Sequence, residues 1–247
     1  MKKRIVDWIE KQVRQAGARG LVFGLSGGVD SCVVASLAKQ ALGKNRLLAL
    51  ILPIHSLTQD LKDSRLVAKK FGIKTKLVDL SGIYDSLLKI LSALPAGRQA
   101  AGRVARANLK PRLRMLVLYY YANKLNYLVC GTGNKTEIMV GYFTKHGDGG
   151  VDILPLGGLL KRQVRQLAKE LGIPGQIIAK PPTAGLWPGQ TDEGEMGLFY
   201  PELDDILERR EKNRKQVLPK NKITKVEGMI ARSAHKRAKP PVCSILR

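Results

Sequence analysis

The sequence predicts an α/β protein with a doubly wound, Rossmann-like parallel sheet flanked by helices. Short, largely apolar runs predict strands at residues 21–25, 46–53, 76–80 and 127–130, and the first two are expected to be buried. Segments with helical character lie between them, at residues 32–43, 58–70, 82–93 and 109–125. Strands that alternate with helices favour crossover connections, and these cover both faces of a parallel sheet.

The segments outside this alternation predict further helices and two irregular stretches. A helix over residues 3–17 carries Ile5, Ile9 and Val13 on one face, and helices are expected at 164–171, 201–212 and 224–234. Residues 95–103 are rich in Gly, Ala and Arg and predict a mobile loop, and residues 180–197 show little periodicity. The length of 247 residues fits one domain, residues 1–247.

Composition limits the environment and the partners. The formal net charge of +23 indicates an anionic partner, and nucleotides, nucleic acid and acidic lipid all satisfy it. No apolar run is long enough to span a bilayer, and the basic N-terminus lacks the features of a signal peptide, so we expect a cytoplasmic protein without a membrane partner. The three cysteines have no CxxC spacing, which predicts reduced thiols.

The segment from Ser26 to Ser31 (SGGVDS) carries the clearest chemical signal. It follows the first predicted strand and leads into a helix, where backbone N–H groups converge and favour phosphate. Gly27 and Gly28 let the backbone approach a ligand closely. The segment has no lysine after its glycines, as a Walker P-loop requires, and it does not follow GxGxxG. A carboxylate beside phosphates would repel them, so Asp30 indicates an intervening Mg²⁺.

These six residues resemble the pyrophosphate loop of the N-type ATP pyrophosphatases, which have an adenine nucleotide alpha hydrolase-like fold. That superfamily cleaves ATP between its α and β phosphates. Four further segments resemble the ammonia-dependent NAD synthetases within it: residues 131–137 (GTGNKTE), 141–152 (GYFTKHGDGGVD), 180–193 (KPPTAGLWPGQTDE) and 235–241, with the triplet at 235–237 and two prolines at 240 and 241. The resemblance extends from about residue 3 to the end of the sequence.

The resemblance implies roles for particular positions. ATP would be bound by Gly24, Leu25, Ser26, Gly27, Gly28, Val29, Asp30, Ser31, Thr132, Lys161 and Thr183. Deamido-NAD would be bound by Arg112, Lys145, Asp152, His235 and Lys236, and Mg²⁺ by Asp30 and Glu137. No side chain is expected to act as a catalytic nucleophile.

The implied reaction amidates deamido-NAD with ammonia through an adenylated intermediate. It consumes ATP and releases AMP and pyrophosphate, as the last step of NAD biosynthesis. Glutamine-dependent relatives carry an additional amidase domain, for which this sequence has no room, so free ammonia is the expected donor. The resemblance also implies a homodimer. Because the intermediate would hydrolyse in water, a closing lid is expected at residues 181–191 or 96–103.

Two other functions compete with this one. The charge favours an RNA-modifying ATP pyrophosphatase, but the thiolating members of that group depend on cysteine pairs, and this sequence has no obvious pair. The basic C-terminal region could instead belong to a nucleic-acid-binding protein without enzymatic activity, whose binding would be sensitive to salt. The motifs make nucleic acid the weaker expectation.

Overall fold

The computed structural model describes residues 1–92, 99–187 and 189–243. A parallel sheet lies at its centre, with the strands β1 (Gly20–Gly24), β2 (Leu47–Ile51), β3 (Thr75–Leu77) and β4 (Tyr127–Val129). The strand order is β3-β2-β1-β4, and every neighbouring pair is parallel. The predicted parallel α/β fold is therefore confirmed. Leu21 of β1 is in register with Leu47 of β2 and Leu128 of β4.

Helices connect the strands and extend beyond them. The first five are α1 (Lys2–Gln15), α2 (Val29–Leu42), α3 (Thr58–Phe71), α4 (Ser81–Ser92) and α5 (Gln99–Leu125). After β4 come α6 (Lys135–Val140), α7 (Lys161–Glu170), α8 (Gly175–Ala179), α9 (Asp192–Met196), α10 (Tyr200–Glu211), α11 (Lys220–Arg232) and α12 (Ala234–Arg237).

The strand order places a switch point beside β1. The chain steps outward from β1 to β2 and β3, and then returns to place β4 on the other side of β1. In such sheets ligands bind at the carboxyl ends of the strands, at the point where the order reverses. The segments that follow β1 and β4 therefore meet where a ligand is expected, and they contain Ser26–Ser31 and residues 130–134.

Apolar side chains cover both faces of the sheet. One cluster joins Ile9 and Val13 of α1 to α2 and α7, and another places Leu50 of β2 with Tyr84 of α4 and Ala122 of α5. A third cluster packs α10 against α11 through residues such as Leu203 and Val226. The predicted amphipathic face of α1 is confirmed, because Ile9 and Val13 are fully buried.

Two expectations around the long helix α5 are wrong. The helix begins at Gln99 rather than near residue 109, so residues 99–103 are helical and do not form a loop. Pro111 lies inside the helix, although proline removes one helical hydrogen bond there. The helix nevertheless continues through this position to Leu125. Residues 95–98 lie outside the described part of the chain.

Four short helices of the described residues were not predicted, because four to six residues are too few to show a repeat. These are α6, α8, α9 and α12. Helix α9 lies in the stretch 180–197, where no element was expected, and it is capped by Thr191, whose hydroxyl accepts a hydrogen bond from the Gly194 N–H.

No helix in the described ranges combines the length and the apolar character needed to cross a membrane. The three cysteines are free thiols, as expected, with Cys32 and Cys130 buried and Cys243 exposed.

Candidate active site

The segment Ser26–Ser31 forms an ordered loop between β1 and α2. The Ser31 hydroxyl donates to the Gly28 carbonyl at 2.9 Å and lies 3.2 Å from the Ser26 hydroxyl. The Gly28 N–H donates to the Ser26 hydroxyl at 3.3 Å, and Gly28 is the N-cap residue of α2. The loop therefore orders itself with its own hydroxyl groups and opens on the N-terminus of a 14-residue helix, an arrangement that favours phosphate.

Gly27 is the position where this loop tolerates no side chain. Its φ is +80°, and a Cβ would lie 2.5 Å from the Asp60 carbonyl oxygen and 3.1 Å from the Asp63 Cβ. The loop is thus packed directly on α3, and both the backbone conformation and the available space require glycine.

We expect Gly27→Ala to lower the free energy of unfolding by roughly 1–3 kcal/mol, because it combines a strained φ with a backbone collision. Chemical denaturation measures the change. The matched control is Gly82→Ala in α4, where φ is not positive and no atom lies within 4 Å of the added Cβ. The control should stay within about 1 kcal/mol of the unsubstituted protein. Equal stability of the two variants would contradict the packing described for Gly27.

Beside the loop, two carboxylates and one lysine converge. Asp30 lies in the first turn of α2, Glu137 in the first turn of α6, and Lys161 is the first residue of α7. The Lys161 Nζ lies 2.6 Å from Asp30 Oδ2 and 3.0 Å from Glu137 Oε1. Only 2% of Lys161 is exposed. The structure thus brings together three of the positions that the motifs singled out.

Asn134 holds the two carboxylates in place and was missed in the sequence. Its side-chain oxygen accepts from the Glu137 N–H at 3.1 Å, and the Glu137 carboxylate accepts from the Asn134 N–H at 3.2 Å, which forms a capping box. The Asn134 Nδ2 donates to Asp30 Oδ1 at 3.0 Å. One buried amide therefore orients both acidic side chains.

Asp204, from α10, positions Lys161. Its carboxylate accepts from the Arg162 N–H at 2.8 Å, from the Lys161 N–H at 3.3 Å and from the Thr136 hydroxyl at 2.5 Å. A carboxylate at the first turn of a helix satisfies N–H groups that have no partner within the helix. Asp204 lies more than forty residues from Lys161 in sequence, so no local pattern indicates this contact.

A third acidic residue, Asp192, is linked to Glu137 through Tyr200. The Tyr200 hydroxyl lies 3.2 Å from Glu137 Oε1 and 2.9 Å from Asp192 Oδ2. A phenol carries one proton, so it donates to only one of the two carboxyl groups at a time. The other oxygen of Asp192, Oδ1, is buried and has no hydrogen-bond partner within the described residues.

Burial and charge shift the pKa values of this cluster. Burial, together with the nearby Asp30 carboxylate, raises the pKa of Glu137 to about 7, although Lys161 acts in the opposite direction. Burial also raises the pKa of Asp192. Burial alone would lower the pKa of Lys161, but the carboxylates of Asp30 and Glu137 outweigh it and raise that pKa. The cluster holds more acidic groups than basic ones.

These residues fit a magnesium ion that is shared with phosphate. Mg²⁺ is usually held by one or two carboxylates together with substrate phosphates and water. Asp30 and Glu137 supply two carboxylates, and the buried Oδ1 of Asp192 has no hydrogen-bond partner among the described residues. Across the described ranges, no group of three or more His, Cys, Asp and Glu residues could hold a metal by itself. A cation here would therefore need further ligands, such as water or phosphate oxygens.

The residues expected to bind a dinucleotide form a second group. Arg112 donates to the Lys145 carbonyl at 3.3 Å, and the Lys145 Nζ donates to the His235 carbonyl at 2.7 Å. The Lys236 Nζ donates to the carbonyls of Gly141 and Phe143, both at 2.8 Å. The structure therefore connects Arg112 and Lys145 with the C-terminal signature, although they are distant in sequence.

The remaining expected ligands have local partners. Asp152 accepts from the Val129 N–H at 2.7 Å and from the Tyr119 hydroxyl at 3.0 Å, which places it at the end of β4. Thr132 follows β4 and is half-buried. Thr183 is exposed, and its hydroxyl donates to the Gln190 carbonyl at 2.8 Å. Thr183 thus orders its own loop, and the structure gives it no contact with Asp30.

The two segments considered as lids come together in the structure. The Arg103 guanidinium lies 5.0 Å from the centre of the Trp187 ring, a cation–π contact between α5 and the segment 181–191. Residues 96–98 and Pro188 lie outside the described residues.

The sheet, the glycine loop at its switch point and the neighbouring carboxylates define an adenine nucleotide alpha hydrolase-like protein. The family model for NAD synthase matches residues 1–240. The chain belongs to the NAD synthase family.

Individual relatives agree with this assignment. The NH(3)-dependent NAD(+) synthetase of Archaeoglobus fulgidus is 49% identical over 98% of this chain and 96% of its own length. The solved NMN synthetase of Francisella tularensis has 37% identity and a TM-score of 0.88, over 99% of this chain and 97% of the other. The solved NH3-dependent NAD synthetase of Campylobacter jejuni has 28% identity and a TM-score of 0.83, over 98% of this chain and 97% of the other.

Proposed function

We propose that the chain is a carbon–nitrogen ligase that amidates deamido-NAD with ammonia and converts ATP to AMP and pyrophosphate. The observation that carries the proposal is the cluster of Asp30, Glu137 and Lys161 beside the glycine loop, in a chain of the NAD synthase family. A phosphate loop and paired carboxylates at one switch point suit an ATP-cleaving enzyme.

The chemistry follows from the poor reactivity of a carboxylate. An oxygen of the nicotinate carboxylate attacks the α-phosphorus of ATP, and the bond to the bridging oxygen breaks, so that pyrophosphate leaves. Ammonia then attacks the carbonyl carbon of this mixed anhydride. The carbon–oxygen bond to AMP breaks, AMP leaves, and loss of a proton from nitrogen gives the amide. Positioning and charge neutralisation suffice for both steps, so no covalent enzyme intermediate is required.

The chain's own groups divide this work. Backbone N–H groups of residues 24–31 and the N-terminus of α2 hold the phosphates, and Lys161 adds a fixed positive charge, with Thr132 and Thr183 as further ATP ligands. Magnesium held by Asp30 and Glu137 would neutralise phosphate charge. Arg112, Lys145, Asp152, His235 and Lys236 bind deamido-NAD. Residues 181–187, which contact α5 through the Arg103–Trp187 pair, exclude water.

A homodimer is part of the proposal. Leu116 and Tyr120 lie one turn apart on α5 and are 60% and 59% exposed, and Ile83 and Ile90 of α4 are also exposed. Helices α4 and α5 contact each other, and apolar side chains exposed on both indicate an interaction surface, to which we assign a second copy of the chain. Light scattering should report a dimer, and Leu116→Glu should shift it toward the monomer. A monomer before substitution would contradict the assignment.

One domain over residues 1–247 and a cytoplasmic location also belong to the proposal.

One assay tests the proposed function. The protein is incubated with ATP, Mg²⁺, ammonium and deamido-NAD, and NAD, AMP and pyrophosphate are quantified. The three products should form in equal amounts. Absence of NAD at every ammonium concentration would overturn the proposal.

The similarity to an NMN synthetase raises a second candidate, in which the product is the mononucleotide. The same assay distinguishes the two when nicotinic acid mononucleotide replaces deamido-NAD. A higher kcat/KM for deamido-NAD is the expected result, and a higher value for the mononucleotide would favour the second candidate.

A further inference from the structure

Helix α5 carries two further cationic side chains, Lys110 and Arg114, which belong neither to the glycine loop nor to the group around Arg112. Lys110 is only 6% exposed, and its ammonium lies 5.5 Å from the centre of the Tyr84 ring. Among the residues that the structure describes, it has no ion pair within 4.0 Å and no hydrogen bond to its Nζ. A buried ammonium without an anionic partner is costly, so its environment is incomplete.

Arg114 lies one turn further along the same face. Its Nε donates to the Leu52 carbonyl at 3.0 Å, directly after β2. The two terminal nitrogens of its guanidinium have no hydrogen bond or ion pair to any described residue. A guanidinium fixed through Nε presents these two groups as a fork, which is suited to bidentate binding of phosphate or carboxylate.

The two cations act against each other. Like charges at positions i and i+4 of a helix repel, and burial makes the repulsion stronger. Burial lowers the pKa of Lys110 and the charge of Arg114 lowers it further, while the carboxylate of Asp85 opposes that shift. Burial also lowers the pKa of Arg114, while the carboxylates of Asp148 and Asp60 oppose that shift. An anion bound between Lys110 and Arg114 would relieve the repulsion.

The surroundings of Arg114 indicate which anion belongs there. Leu52 lies at the carboxyl edge of the sheet, and β2 is paired with β1, which leads into the glycine loop. Asp60 packs its carbonyl against Gly27 of that loop, and the charges of Asp148 and Asp60 both act on Arg114. Arg112, in contrast, contacts Lys145 in the group assigned to the dinucleotide.

We propose that Lys110 and Arg114 form an anion subsite that binds a phosphate group of ATP. The subsite rests on the proposed function, because that function identifies ATP as the nucleotide in the neighbouring loop. It adds a pair of positive groups on α5 to the loop's N–H groups and to the Asp30–Glu137–Lys161 cluster.

Calorimetric titration of the intact protein tests the subsite. Arg114→Gln and Lys110→Met are each titrated with ATP and, separately, with deamido-NAD. Each variant should bind ATP about 10- to 100-fold more weakly, the loss expected for a charge-assisted hydrogen bond. Binding of deamido-NAD should change less than about 2-fold. Arg65→Gln, which changes an exposed arginine of α3, is the matched control and should leave both affinities unchanged.

Two further measurements separate binding from folding and from the reaction itself. Lys110→Met should raise the denaturation midpoint without ATP, because it removes a buried cation that has no ion pair or hydrogen bond to a described residue. Arg114→Lys should recover part of the ATP affinity. Unchanged ATP affinity in both primary variants would overturn the subsite, as would a selective loss of deamido-NAD binding. NAD formation by the unsubstituted protein is measured in parallel. A failure of the proposed function is thereby distinguished from a failure of the subsite.

Discussion

Asp30→Asn is expected to lower kcat for pyrophosphate release by about 100- to 1000-fold, the range observed when one preorganised electrostatic group is removed. The substitution keeps the shape of the side chain but removes the charge that faces Lys161 at 2.6 Å. It also removes one of the two carboxylates available to a magnesium ion. Initial rates of pyrophosphate release at saturating ATP and deamido-NAD measure the effect.

The matched control for Asp30 is Asp205→Asn. Asp205 pairs with Arg209 on α10 at 2.9 Å, and it has no role in the proposed phosphate or metal site. Such a partly exposed i,i+4 pair contributes little, so turnover should be unchanged. If Asp30→Asn retained full turnover while the control behaved as expected, the proposed metal and phosphate roles of Asp30 would be wrong.

Lys161→Met should lower the free energy of unfolding by about 3–5 kcal/mol, since removing one partner of a buried ion pair leaves the other charge uncompensated. Lys161 is almost fully buried between Asp30 and Glu137, and methionine retains most of its apolar stem. Turnover should fall as well, because Lys161 supplies a fixed positive charge beside the loop. Urea denaturation without nucleotide isolates the stability effect.

Lys135→Met provides the comparison for Lys161. Lys135 pairs with Glu211, which is largely exposed, so its loss should cost about 0–1 kcal/mol. A similar small cost for Lys161→Met would mean that the buried cluster contributes no more than a surface pair. Added Mg²⁺ should restore part of the stability lost in Lys161→Met, because a cation would again face the two carboxylates.

The sequence predicted the sheet and the loop well because both depend on local chemistry. Apolar runs separated by helical segments define a parallel sheet, and Gly27, Asp30 and Ser31 are adjacent in the chain. The groups that position the site could not be found in this way. Asp204 and Tyr200 approach Lys161 and Glu137 only through tertiary packing, and no sequence period relates residues so far apart.

The errors have a different origin. Gly102 and Pro111 favour a late helix start, yet α5 begins at Gln99, since the Ala, Arg and Leu residues around them are strong helix formers. The net charge of +23 indicates an anionic partner but does not say where the anion lies. Only the structure shows that Lys110 is buried on α5 without an ion pair or hydrogen bond to a described residue.

The central claim is that a carboxylate oxygen of the substrate becomes bonded to the α-phosphorus of ATP. Deamido-NAD labelled with ¹⁸O at both oxygens of its nicotinate carboxylate tests this directly, with mass analysis of all products after one turnover in unlabelled water. The expected result is one ¹⁸O in AMP, one in the amide of NAD and none in pyrophosphate. Unlabelled AMP, or ADP and labelled phosphate in place of AMP and pyrophosphate, would contradict the mechanism.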